Sequence, residues 1–336
     1  MTRILSEGFE MQDLVGYTNS GSAINTSVKR SGAASLLQGK ANTLNYATPD
    51  LAEAYIRVAV NVASYSGTVP YFQMQWRHGT TVLGGLAVRP DLSASYLLVS
   101  TSNVVSGIVP IATGSWYMIE VYVKIDDAAG VLSLKVEGIA DGTYNGDTKP
   151  GADAHFDNLQ FFSGVAGVGS NVSVYIDDIG LNDTAGGVDD SWLGDGRIIV
   201  IKPDGDTATL ELTPSAAVAH NTLVDDIPAD GDSTYVEGSV DDEEDIYDLA
   251  ACGLVDVIIT RIWTEARARD TGASGKSVAL ITKASGGAEV SGGDVVLSSA
   301  YNTKVLGTEE LVNPVDAGAW EVADIDALQG GPRTRP

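Results

Sequence analysis

The chain has 336 residues, 44% of them hydrophobic, with 38 glycines, 11 prolines and one cysteine. Its 20 Lys and Arg stand against 45 Asp and Glu, a formal net charge of −25, and a field of that sign repels phosphate backbones. Nucleic acid is excluded as a primary partner on that ground, wholesale disorder on the hydrophobic content, and an intramolecular disulfide on the lone Cys252.

That length suits two domains of ordinary size, and the glycine content with few helical patterns predicts a turn-rich β protein. The opening MTRILSEGFEMQ lacks the apolar run of a signal peptide, and no later segment reads as a bilayer span. In EAYIRVAVNVA, Ile56, Val58, Val60 and Val62 share one face while Tyr55, Arg57 and Asn61 take the other. That two-residue period is the mark of a half-buried strand. PYFQMQWRHG repeats it, with Phe72, Met74 and Trp76 opposite Tyr71, Gln73, Gln75 and Arg77. WYMIEVYVKIDDAAGVLSLKVEG reads as a hairpin, Ile119, Val121, Val123 and Ile125 going out and Leu132, Leu134 and Val136 returning. GVAGVGSN at 164–171 reads as a turn: it has no P-loop lysine and precedes a strand. VSVYIDDIGL closes this half, with Val172, Val174 and Ile176 on a common face. Many alternating strands with few helices imply sheets packed face to face, so the expected fold class is all-β, two β-sandwiches in tandem.

The Gly and Asp clusters of NDTAGGVDDSWLGDGR, residues 182–197, mark a domain boundary. Beyond it, RIIVIKP and ATLELTP read as strands, GSVDDEEDIYDLA as a solvated loop or covering segment, and LVDVIITRIWTEARARD as the longest later strand. A turn and the strand SVALITKAS follow, and the charged face of RIWTEARARD is placed either against an acidic neighbour or in water. Trp320 with a short helical turn is expected to cover an open sandwich end, and the tail GPRTRP to be loose. Cys252, in LAACGLVDV, reads as a small buried hydrophobe.

Few residues advertise chemistry. Asp177 and Asp178 are adjacent on a strand, where neighbours point to opposite faces, so they are not expected to work as a side-by-side pair. A glycosidase needs two carboxyls framing a sugar, about 5–10 Å apart. His78, His155 and His220 are far apart, without the HxH or HxxxH spacing of a zinc site, and no GxSxG elbow singles out a nucleophile. Of the aromatics, Trp76 and Trp116 are expected in the core, Tyr71 and Tyr122 outward, and Tyr96 is available to stack on a sugar.

The segments EGFE at 7–10, SGAASL at 31–36 and VYIDDIGLNDTAG at 174–186 resemble the concanavalin A-like, laminin-G-like jelly roll. SWLGDGRI at 191–198, DGDSTYVEG at 230–238, DEEDIYDLA at 242–250 and NPVDAGAW at 313–320 are similar to a recurring type of tailed-phage virion protein, a lectin-like sandwich joined to a second β-rich module. The resemblance implies a jelly roll over 1–187, a linker at 188–196 and a virion-assembly sandwich over 197–336, with first and last strands of the jelly roll side by side. It also implies a structural calcium joining the early strand to the last, with Glu10 and one of Asp177 or Asp178 as its side-chain ligands. Against that stands a plainer reading, in which the aspartates accept strand-end hydrogen bonds and face solvent. The Glu-x-Asp-x-x-Glu signature of related glucanases is absent, so the expectation is a non-enzymatic structural protein of a phage capsid or tail, binding copies of itself and other virion proteins, without membrane insertion. The alternative is a calcium-assisted module that recognises a host surface glycan. A depolymerase comes third.

Overall fold

The computed structural model describes residues 3–65, 72–89, 94–163, 172–272, 274–301 and 304–336. Tyr71 and the turn expected at 164–171 lie outside them. The structure is all-β: antiparallel sheets make up both parts, and Val322–Ile325 is the one α-helix among the described residues. Among those residues no helix is long and apolar enough to cross a membrane. The chain divides into two compact units, Met1–Val200 and Ile201–Pro336.

In the first unit the strands are, in chain order, β1 (Arg3–Glu7), β2 (Thr18–Ser20), β3 (Ala23–Asn25), β4 (Ser35–Gly39), β5 (Thr43–Leu51), β6 (Glu53–Tyr65), β7 (Phe72–His78) and β8 (Thr81–Arg89). There follow β9 (Ala94–Val99), β10 (Ser102–Ser106), β11 (Trp116–Lys124), β12 (Gly130–Val136), β13 (Ile139–Gly146), β14 (Phe156–Ser163) and β15 (Val172–Asp183). One sheet runs β13-β12-β11-β6-β15-β4-β3, with β1 beside β15; the other runs β10-β9-β8-β7-β14-β5-β2. Their inner faces make one core. Ile56, Val58, Val60 and Val62 meet Phe72, Met74 and Trp76 in it, together with the hairpin residues Val121, Val123, Leu132 and Leu134. The expected hairpin is exact in register, Ile119 opposite Val136 and Val123 opposite Leu132. First and last strands do lie side by side, Glu7 opposite Ile179. Trp116 departs from expectation: it sits half-buried at the start of β11 while Trp76 fills the core.

Residues 188–196, expected as a linker, instead belong to the first unit. Their backbone is bonded to its side chains: Gly194 donates its N–H to Glu120 Oε1 at 2.8 Å, and its carbonyl accepts from Arg57 Nη1 at 3.3 Å. Trp192 meets Tyr55 edge-on at 5.3 Å and lies under Lys135 Nζ at 4.1 Å. This strap explains why Arg57 and Asn61, read as the exposed face of β6, include a fully covered guanidinium.

The second unit is built on a sheet in the order Pro203–Leu210, Asp245–Leu249, Gln329–Arg335, Ser277–Lys283 and Glu289–Ser291, with Val295–Val296 also paired to Ser277–Lys283. Two short ribbons accompany it, Thr213–Pro214 with Val236–Glu237 and Glu265–Arg267 with Lys304–Leu306. Several expectations are corrected here. The acidic run is a turn followed by a central strand, in which Asp245, Ile246 and Tyr247 bury while Asp241, Asp242 and Asp248 stay exposed. The expected long strand at 254–270 is irregular except for Glu265–Arg267 and isolated bridges such as Ile262 to Glu310, and RIIVIKP carries no strand before Pro203. The tail is not loose: Gln329–Arg335 pairs along all seven residues of Ser277–Lys283. Its cations tie down neighbouring acids, Arg333 with Glu244 and with Glu289 at 2.6 Å, Arg335 with Asp294 at 2.9 Å. Trp320 buries with Ala284, Ile325 and Leu328, and Cys252 is half-buried against that cluster.

Deleting residues 329–336 removes a strand from the middle of this sheet. The expected result, read by hydrogen exchange, is loss of amide protection throughout Ser277–Lys283 with the strands of the first unit still protected.

Candidate functional site

Three carboxylates converge where β1 leaves and β15 closes the first unit. β15 does not run straight there. Its pairing with β6 slips between Asp177 and Gly180, and Asp178 takes φ +48°, a left-handed conformation that Asp tolerates better than most residues. The bulge cancels the alternation of a regular strand. Asp177 and Asp178, expected on opposite faces, both reach the turn at Arg30 and Ser31 and are both 0% exposed, so the solvent-facing reading fails.

Each acid has a distinct set of partners. Asp178 Oδ2 accepts from Arg30 Nη1 at 2.7 Å; its Oδ1 accepts from Ser31 Oγ at 2.7 Å and from the Ile198 N–H at 2.8 Å. Asp177 receives only backbone: the N–H groups of Arg30 at 2.9 Å, Ser31 at 3.3 Å and Asp178 at 2.8 Å. Glu10 Oε2 accepts from the Ala33 N–H at 2.6 Å, while Glu10 Oε1 is buried without a hydrogen-bond partner. Gly32 closes over that carboxylate with φ +55°, and a Cβ there would stand 2.1 Å from Glu10 Oε1. Only glycine allows the approach.

Charge balance is uneven. Asp178 has a full guanidinium, whose own affinity for its proton is raised against burial by Asp178 and Asp195. Burial pushes Glu10 up to about 8, the charges of Asp177 and Asp178 adding to the effect and the Ala33 N–H opposing it. Burial and the neighbouring Asp178 push Asp177 up as well. A buried carboxylate oxygen without a hydrogen-bond partner, near a second raised carboxyl, needs its charge offset by a proton or a cation. As oxygen donors, Glu10 and Asp177 fit the oxygen-only preference of calcium. Asp178 does not fit as a ligand, since both its oxygens are taken by Arg30, Ser31 and Ile198.

Other expected residues go elsewhere. Tyr122 is half-buried on the outward face of its strand, as expected, and there it stacks on Tyr55 at 4.7 Å and donates to Glu53. Tyr96 and Phe162 lie half-buried on the outer face of the second sheet. Rows across that face run Gly85, Gln75, Gln160, Asn45 and Ala87, Gln73, Phe162, Thr43. Arg77 Nη1 donates to Gln160 Oε1 at 2.8 Å, Gln160 Nε2 to Asn45 Oδ1 at 2.8 Å, and Asn45 Nδ2 to the Thr18 carbonyl at 3.3 Å. In the second unit His220 Nδ1 lies 2.7 Å from Asp245 Oδ2, which Tyr247 also reaches at 2.9 Å. Asp245 Oδ1 takes the N–H groups of Glu211 and Leu212 at 2.8 and 2.9 Å, so this buried acid ties strands together.

No family model matches the sequence, and no curated protein matches it. Among solved structures the chain is similar to a cellulose-induced protein, Cip1, at 14% identity and TM-score 0.45, covering 57% of this chain and all of that one (100%). A conserved carbohydrate esterase from the Shiga toxin-encoding bacteriophage phi24B aligns at 13% identity and TM-score 0.42, covering 54% of this chain and 99% of its own. The carbohydrate-binding module CBM66 from Bacillus subtilis aligns at 6% identity and TM-score 0.35, over 51% and 98%.

In chelator, the Glu10 carboxyl ionises near 4.5 when unfolded and near 8 when folded. The folded state then holds the extra proton, so this group's stabilisation is complete below 4.5 and is lost as pH rises through 8. Melting temperature in chelator is expected to fall across that window, and millimolar calcium to restore it. Glu10→Gln should flatten the pH dependence and abolish the calcium response. Arg30→Met leaves Asp178 buried without its counter-charge, and equilibrium denaturation should show a loss of about 3–5 kcal/mol.

Proposed function

We propose that the protein is a non-enzymatic structural component of a tailed-phage particle, on capsid or tail, that works by symmetric association with copies of itself and with other virion proteins. The observation that carries this reading is an apolar segment of the second unit left in water. Val255 is 79% and Ile258 89% exposed, with Val257 between them, and only Asp256 interrupts the run. Burying two such side chains is worth about 1.5–3 kcal/mol each, and clustered apolar exposure on an otherwise acidic chain marks a surface that meets a partner. The sequence resemblance to virion proteins supports the same reading. So does the use of the acids: those the sequence singled out are buried and committed to closing the first unit, where they hold the fold. Calcium on Glu10 and Asp177 belongs to this proposal as hardware.

Sedimentation velocity on the full chain is expected to show a defined oligomer at micromolar concentration, shifted to monomer by Ile258→Asp with an unchanged melting temperature. A wild-type chain that stays monomeric, and is missing from purified particles by mass spectrometry, would defeat the proposal.

A second reading, recognition of a host surface glycan, is favoured by the outer face of the second sheet. Its amides are held rigid by Arg77 and by one another, which presets them to meet sugar hydroxyls, and Tyr96 and Phe162 offer apolar ring surface beside them. A glycan array in calcium-containing buffer is expected to give hits that Gln160→Ala weakens at least tenfold; no hits would remove this reading.

A further inference from the structure

Three strands that are neighbours in the second sheet, β7, β14 and β5, bring their residues to one end of it: β7 finishes at His78, β5 nears its finish at Asp50, and β14 begins just after His155. Antiparallel order forces this convergence, since β14 must start where both its neighbours end. Positions 50, 78 and 155 thereby meet although no local spacing links them. Nitrogen and oxygen donors of Asp50, His78 and His155 all lie within 4.8 Å of one another. His155 Nε2 is 3.4 Å from Asp50 Oδ2, and the two imidazoles meet edge to face, centroids 4.8 Å apart at 87°.

We propose that these residues form a binding site for a borderline divalent transition ion of the zinc class. The donor types select it: paired imidazoles with a carboxylate suit zinc and its first-row neighbours, whereas calcium takes oxygen alone. The geometry is close. Ligands at about 2.0–2.1 Å from a tetrahedral ion stand roughly 3.3 Å from each other, which the His155–Asp50 separation of 3.4 Å already meets. Asp153 Oδ1 stands 3.8 Å from His78 Nε2 and adds negative charge beside the trio. Asp157 supplies the outer support that ligating histidines normally have. Its Oδ1 is fixed by the Gly79 N–H at 2.9 Å, and its Oδ2 stands 3.6 Å from His78 Nδ1, a nitrogen that is otherwise buried without a hydrogen-bond partner. With Nδ1 facing Asp157, Nε2 is the nitrogen left for the metal. Three protein donors leave the fourth position of a tetrahedron to water, and the ion would tie the ends of three neighbouring strands of the second sheet together.

This site is chemically and spatially separate from the Glu10–Asp177 pair, and the test exploits that. Tag-free full-length protein, held in calcium to fill the other site, is dialysed against Zn2+ alone and titrated with Co2+. One Zn2+ per chain is expected, with Co2+ giving the visible absorption bands of tetrahedral nitrogen and oxygen coordination, bleached by added Zn2+. His78→Ala and His155→Ala should each weaken Zn2+ binding at least tenfold, and Asp157→Asn about 10–100-fold as an outer-shell change. His220→Ala and Glu10→Gln should leave it intact. His78 and His155 are half-exposed, so their variants are expected to fold, and unchanged melting in chelator confirms it. Absence of Zn2+ binding, an octahedral Co2+ spectrum, or binding that survives both histidine variants would overturn the proposal.

Discussion

Asp178 carries its charge where no water reaches it, and the first unit is organised around making that tolerable. An isolated buried carboxylate costs several kcal/mol even after the surroundings relax. Here the compensation comes from parts of the chain distant in sequence: the Arg30 guanidinium and Ser31 hydroxyl from the turn before β4, and the Ile198 N–H from the end of the strap. The acid is therefore a junction. It fixes the last strand, the turn and the strap in one arrangement, with Glu10 near enough to feel the charges of both aspartates.

The strap makes the rest of that arrangement permanent. Arg57 and Glu120 stand opposite each other on adjacent strands, and both spend hydrogen bonds on Gly194. Trp192, wedged against Tyr55 and under Lys135, covers what would otherwise be the wet side of the sheet. One face of a sheet is thus sealed by an irregular segment, while the outer face of the other sheet keeps its amides and rings in contact with solvent. The asymmetry separates a side covered by the chain's own backbone from a side that faces solvent.

The first unit was legible wherever one face buries and the other does not. Ile56 to Val62, Phe72 to Trp76 and the 116–138 hairpin obey the two-residue period because a single core selects their apolar side. The reading failed where that rule has no purchase. At Asp177–Asp178 a bulge and a positive φ break the alternation, and nothing local announces a bulge. At 188–196 the Gly and Asp clusters look like a linker because the segment offers little but backbone to its partners. In the second unit the tail GPRTRP has no apolar pattern at all; it becomes a strand because Ser277–Lys283 has an edge to fill and Glu244, Glu289 and Asp294 have charges to meet. Glu10 and Asp177 enter as candidate calcium ligands through resemblance alone; their burial is not legible in the sequence. His78 and His155 were dismissed as zinc ligands on spacing, yet sheet order, which no spacing encodes, brings them together.

The position of Gln329–Arg335 has a consequence for biosynthesis. A strand that pairs on one side with Ser277–Lys283 and on the other with Asp245–Leu249 is the last of its sheet to emerge from a ribosome. Until it arrives, the nascent second unit holds two unsatisfied edges facing a gap, while the first unit, whose closing strand ends at Asp183, already has every piece it requires. Vectorial synthesis would then deliver a finished first unit ahead of an unfinished second one, and the exposed gap is where a premature encounter between neighbouring polysomal chains would begin.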